Sequence, residues 1–176
     1  MMAHSFSYAV FLLLSLHGVQ AGDDSLLEDT AKVVDGLVPC PSCEERKIHV
    51  VVEGVVLCQS CSQAGTSSLA DSTPIQSAVV SVTCNDQTDY FPTDSNGHFY
   101  AEIAGYKVSD KTLEEPLQTC RVRLDSSPLP NCNQQTDINN GIDGASLRSE
   151  NKRISSEHYQ AAIYAAGPVA FRPAQC

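Results

Sequence analysis

Eight cysteines constrain this 176-residue chain more than any other feature. Four of them form two C-x-x-C pairs in VPCPSCEERKIHVVVEGVVLCQSC, residues 38–61: Cys40 with Cys43, and Cys58 with Cys61, with fourteen residues between the pairs. That spacing falls just short of a four-thiolate zinc ribbon, and it also suits a redox pair or a disulfide framework. The compartment decides, because thiols in an oxidising lumen pair with one another unless a metal already holds them.

The first residues indicate the compartment. MMAHSFSYAVFLLLSLHGVQAGDD carries an uncharged apolar run from Tyr8 to Leu16, followed by Val19-Gln20-Ala21, small residues of the kind a signal peptidase accepts. Residues 1–21 are expected to be a signal peptide cut between Ala21 and Gly22, since the run is too short to span a bilayer as a helix. No second apolar run of spanning length follows, and the final FRPAQC lacks the hydrophobic tail of a lipid anchor. A secreted, extracellular product with no membrane association is expected, and the cysteines then read as an even-numbered disulfide set with no metal or cofactor.

The formal charge is −10, and residues 22–46 hold seven acids against Lys32 and Arg46, a net −5. An acidic chain repels phosphate backbones and anionic lipid surfaces, which argues against nucleic-acid partners. Arg121, Arg123, Arg148, Lys152 and Arg153 form the one basic gathering, a candidate anion patch for an acidic polysaccharide such as pectin. The alternative is a solvated face.

Ser25-Leu-Leu-Glu28 reads as a capping box ahead of Leu27, Ala31 and Val34, so a short helix is expected within the acidic leader, residues 22–46. From Lys47 the pattern alternates. Ile48, Val50 and Val52 point one way and His49, Val51 and Glu53 the other, with Gly54 as an interruption before Val55 to Cys58. SAVVSVTC (77–84) and CRVRLD (120–125) are further strands, the latter with Cys120, Val122 and Leu124 inward. Asp94 to Gly97 predict a hairpin that delivers Phe99, Ala101 and Ile103 to one face. DINNGIDG (137–144) is turn-rich, and Gly167-Pro168 divides Ala161–Ala166 from a last strand at Val169–Phe171. Many short strands with few helical patterns predict an all-β domain over 47–176, a sandwich or barrel.

Glu53-Gly-Val-Val-Leu-Cys-Gln-Ser-Cys-Ser62 coincides with six cysteines in the order Cys58, Cys61, Cys84, Cys120, Cys132 and Cys176, with TDSNGHFYAEI and with the terminal GPVAFRPAQC. With these features residues 48–176 resemble the plant pollen Ole e I allergen and extensin family. The chain departs from the family signature at Leu57, where Tyr is usual, and at Gln59 and Ser62, where Asp and Arg are typical. The resemblance implies a disulfide-stapled antiparallel β-sandwich, transthyretin-like or Ig-like. It also implies the pairing Cys58–Cys132, Cys61–Cys176 and Cys84–Cys120, a connectivity the spacing alone leaves open. Cys40 and Cys43 lie outside it. They remain to pair with each other, and a C-P-x-C motif is also a possible redox centre.

Catalytic signatures are missing from the sequence: there is no G-x-S-x-G, no H-E-x-x-H and no phosphate-cradling glycine loop. Three scattered histidines follow the signal, His49, His98 and His158, and each suits a strand face better than a ligand set. Asp137 to Asp143 is oxygen-rich, but its order does not match an EF-hand. The resemblance implies a non-enzymatic structural or binding protein of the plant cell wall or apoplast, in pollen or tissue growth, whose partner is a wall polysaccharide or an extracellular protein. Two alternatives stand beside it: a secreted thiol-disulfide or zinc protein acting through Cys40 and Cys43, and an acidic-polysaccharide binding module.

Overall fold

A computed structural model of the chain describes residues 47–176. The signal segment with its Ala21/Gly22 junction, the helical leader, and Cys40 and Cys43 lie outside the described residues. In chain order the strands are β1 Ile48–Cys58, β2 Thr73–Pro74, β3 Val79–Cys84, β4 Gln87–Pro92, β5 His98–Val108, β6 Cys120–Ser126, β7 Gln134–Gln135, β8 Ala145–Ser155, β9 Gln160–Ala166 and β10 Val169–Arg172. One short helix, α1 Glu115–Thr119, precedes β6, and 3-10 turns occupy Cys61–Gln63 and Ile138–Asn140.

β1 organises the sheet. It pairs antiparallel with β5, from Ile48 opposite Val108 to Val55 opposite His98, and parallel with β9, from His49 opposite Ala161 to Glu53 opposite Ala165. Its second half pairs parallel with β10, Val56 opposite Val169, and with β2. β9 and β10 are therefore one path alongside β1 interrupted at Gly167-Pro168, where proline removes a ladder donor. Asn139 fills the break, its Nδ2 donating to the Pro168 carbonyl at 2.6 Å. A second ladder runs β4-β3-β6-β8, and β8 joins the two, pairing with β6 at Ala145 and Ser146 and with β9 from Leu147 onward.

The all-β, disulfide-stapled class holds, and the sheet is mixed, because the last two strands return in the direction of β1. Gly54 does not divide β1. It sits opposite Phe99 of β5, where the ring covers the space a side chain would fill: a Cβ at Gly54 would lie 2.6 Å from the Phe99 ring. The turn expected at Asp94–Gly97 forms, with Asp94 Oδ1 accepting from the backbone N–H groups of Asn96 and His98. It does not close a hairpin. β4 pairs with β3 and β5 with β1, so the turn is a corner between ladders. Gly97 is required there, with φ 74° and the space for a Cβ taken by the Val56 carbonyl at 2.5 Å. The tight hairpin lies at Asn85-Asp86 between β3 and β4, with Asn85 at φ 52°.

One core receives the inward residues of both ladders: Val50, Val52, Phe99, Ala101 and Ile103 from one, Val80, Val82, Cys84, Cys120 and Val122 from the other, closed by Phe171 and Tyr164. Val51 is also fully buried, on the opposite side of β1, where it lies opposite Ile163 of β9. The Tyr164 hydroxyl donates to the Leu113 carbonyl at 2.6 Å, and burial pushes its pKa up to about 12.

Two outcomes follow from this packing. Because the Phe99 ring is itself buried and cannot swing away, Gly54→Ala is expected to destabilise the oxidised protein by about 1–3 kcal/mol in urea unfolding. Tyr164 keeps its proton in the fold at a pH where the unfolded chain, with a phenol near 10, has lost it; stability therefore falls as pH rises from about 10 toward 12. Tyr164→Phe flattens that alkaline limb, as read by denaturation midpoints across the range.

Candidate functional site

All six cysteines of the domain are bridged, and the pairs are those named above. Cys84–Cys120 ties facing residues of β3 and β6 within the core, with Cα atoms 4.0 Å apart. Cys58–Cys132 binds the end of β1 to the segment after β6, and Cys61–Cys176 binds the adjoining 3-10 turn to the final residue. The latter two close loops of 74 and 115 residues, each worth roughly 4–5 kcal/mol in the chain-entropy model. Both meet at one end of β1, and the residues between their first members become fixed there.

Gln59 lies between those two bridges and is 2% exposed. Its backbone N–H donates to the Phe171 carbonyl at 2.8 Å, which places the side chain under the loop that follows. Its Nε2 then donates to the carbonyls of Gln63, Thr66 and Ser68 at 3.2, 2.9 and 2.9 Å, so one amide holds the whole 60–68 loop. Asp is typical of the family at this position and has no proton to give at neutral pH, so the departure at Gln59 is matched by a loop that needs a donor. Nothing in the periodicity marks this residue; the available signal was a polar side chain at a strand end between two cysteines.

The loop is one wall of an open cleft of about 430 Å³. Gln59, Thr66 and Ser67 line one side, Gln135 through Ile138 and Ile142 the other, and Arg172 of β10 also borders it. The second wall is held in turn. Thr136 Oγ1 donates to the Ala170 carbonyl at 2.6 Å, and Asp137 Oδ1 accepts from the N–H groups of Ile142 and Asp143 at 3.2 and 3.4 Å. The oxygen-rich 137–143 stretch is thus a turn organised by Asp137. Among the described residues no group of His, Cys, Asp and Glu is arranged to hold a metal.

Each of the five cations of the anion patch is engaged by a carbonyl or a carboxylate. Arg121 donates to the Leu117 and Cys120 carbonyls, Arg123 to the Asp143 carbonyl at 3.0 Å, and Arg153 to Asp110 at 2.9 Å. Lys152 bridges Glu53 and Glu150 at 2.9 and 2.7 Å, and Arg148 lies 3.6 Å from the same Glu150. Glu150 is held below its usual pKa by the Lys152 hydrogen bond, and Lys152 is raised by its two acids. Of the histidines, His98 and His158 are exposed. His49 sits on the outward face of β1, its Nδ1 2.7 Å from Glu102 and its ring 4.8 Å from that of Tyr159. Tyr159 donates to the other Glu102 oxygen at 3.1 Å, and its phenol is raised first by burial and then by that carboxylate.

The crystal structure of the major plantain pollen allergen Pla l 1 aligns with 74% of this chain and 96% of its own, with a TM-score of 0.51 and 22% identity. This chain has the pollen-allergen fold. Beside that fold stands the resemblance to the Ole e I and extensin family read from the strand-borne C-x-x-C and the cysteine order. A pistil-specific extensin-like protein of Nicotiana tabacum is 32% identical over 120 residues, covering 66% of this chain, and a proline-rich protein 3 of Arabidopsis thaliana is 31% identical over 85 residues, covering 42%. The chain spans 22% and 25% of those two proteins' lengths. No family model matches it.

Gln59→Glu tests the loop's dependence on a donor. A carboxylate facing three carbonyls is raised above the ordinary glutamate value near 4.3, because its charged form is the disfavoured one. The variant is expected to approach wild-type stability below that value and to lose about 1–3 kcal/mol by pH 7. Urea midpoints at pH 4 and pH 7 read the difference, and an equal loss at both would mean that the amide protons do not hold the loop.

Proposed function

We propose that this is a secreted plant extracellular protein of the cell wall or apoplast, acting as a non-enzymatic structural or binding module through the disulfide-framed cleft at the end of β1. The observation that carries the reading is the pair of bridges meeting at that cleft, Cys58–Cys132 and Cys61–Cys176. Disulfides of this kind persist in oxidising compartments and are rare in the cytosol, and here they fix two irregular segments as walls. Fixed loops on a strand scaffold are where binding residues are most often placed. The extensin-like and pollen-allergen relatives support a role in the wall, and in pollen or tissue growth.

A fluorescent fusion in plasmolysed plant cells tests the location: signal in the wall is expected with residues 1–21 present, and retention inside the cell without them. Intact mass of the secreted chain, with and without alkylation in denaturant, tests the chemistry. A chain beginning at Gly22 that takes no label has all its cysteines bridged, Cys40 and Cys43 included. Label on Cys40 and Cys43 would move the function to a thiol or zinc role for that pair.

A further inference from the structure

We infer that the cleft bordered by Arg172 is a binding site for a uronate, a sugar unit bearing one carboxylate and several hydroxyls. The inference rests on the binding-module reading for the use of this cleft and goes further by naming the ligand class. It also places acidic-saccharide recognition away from the five-cation patch.

Each of Arg121, Arg123, Arg148, Lys152 and Arg153 is engaged by a carbonyl or a carboxylate. The guanidinium of Arg172 is exposed at the end of β10 and borders the cleft, and among the described residues no hydrogen bond or ion pair engages it. A free guanidinium presents a planar fork that matches a carboxylate with two parallel hydrogen bonds. Nothing apolar or neutral uses that geometry as well.

The rest of the lining is polar in a particular sense. Nε2 of Gln59 and of Gln135 is committed to backbone carbonyls, which leaves each amide oxygen as an acceptor with no partner among the described residues. The Asp137 carboxylate adds further acceptor capacity, with Oδ1 partly offset by two backbone N–H groups. A site with one permanent cation and an excess of acceptors suits a ligand with one anionic head and a body of hydroxyl donors. Ile142, 44% exposed, and Ile138 provide an apolar strip for the C–H face of a sugar ring. The volume of about 430 Å³ lies within the range of about 300–1,000 Å³ typical of small-molecule sites. Asp137 repels an anion, so the carboxylate is oriented toward Arg172 and the hydroxyls toward Asp137.

NMR titration of the full secreted chain tests this with three probes: galacturonate, its trimer, and the trimer's methyl ester. The expected result is saturable shifts at the amides of Ser67 and Ile142, with the ester about tenfold weaker than the acid. Arg172→Gln should weaken acid binding by about tenfold, and Arg148→Gln with Arg153→Gln should leave it unchanged. Ile142→Asp, at an exposed position that tolerates the change, should weaken it by removing the apolar contact and by adding a second anion beside Asp137. Equal affinity for monomer and trimer identifies a free sugar acid as the source, and tighter trimer binding identifies a polymer. Equal binding of acid and ester, absence of binding, or an unchanged affinity in a folded Arg172→Gln variant would overturn the assignment. A chain that reaches the wall but ignores the probes defeats the uronate site and leaves the extracellular reading, whereas retention inside the cell defeats that reading whatever the titration gives.

Discussion

The parallel pairing of β1 with β9 and β10 fixes where the end of the chain lies, and the disulfide geometry follows from it. With Val56 opposite Val169 and Cys58 opposite Phe171, the last residues run out beside the 3-10 turn that follows β1, so Cys61 and Cys176 come within 5.2 Å at their Cα atoms. A bridge between residues 115 apart needs both ends placed by something else before it can close. β1 supplies that placement from both sides, with β5 antiparallel on one edge and β9 parallel on the other. The buried small residues of β9, Ala161, Ala162, Ala165 and Ala166, let it lie against β1 with little side-chain volume to accommodate. Among the described residues three aromatics are fully buried, Phe99, Phe171 and Tyr164, and the chain has no Trp, so the bridges add stability where hydrophobic area is modest.

Strands that alternate on one buried face were legible. CRVRLD has the predicted inward set, and Gly167-Pro168 separates β9 from β10 as its chemistry requires. β8 was not legible: of its eleven residues only Ala145 and Leu147 are buried, so its hydrophobic pattern is too sparse to distinguish a strand from a loop. What makes it a strand is backbone pairing with β9, and pairing leaves no mark on side-chain composition. The corner at Asp94–Gly97 shows a related limit. The turn chemistry was correct, but turn residues specify a reversal without specifying a partner. The partner was chosen by Phe99, whose ring fills the gap over Gly54 and draws β5 to β1.

The site divides along the same line. The cysteines were readable because their number and order are sequence properties, although their pairing needed the family resemblance. Sequence proximity could not choose between an anion patch and a solvated face for the five cations, because it ignores the acids that folding brings in. Glu53 is 99 residues from Lys152, and Asp110 is 43 from Arg153, yet both pairs are in contact. Surface pairs of this type contribute little stability, but they remove cations from the set available to a ligand. Arg172 was passed over for the converse reason: it stands alone in sequence and becomes notable only when its neighbours are seen to be already bonded.

The cleft follows from how little freedom its walls retain. The 60–68 loop is anchored at Cys61 by a bridge and along its length by the Gln59 amide, and the 132–142 segment by Cys132, Thr136 and Asp137. Loops held at several points lose their conformational entropy on folding, so a ligand does not have to order them on binding. An acidic protein gains little from long-range attraction toward an acidic ligand, and affinity must then come from short, directed contacts in a preformed site. A guanidinium left unpaired beside fixed acceptors meets that requirement, which cations already engaged by carbonyls and carboxylates do not.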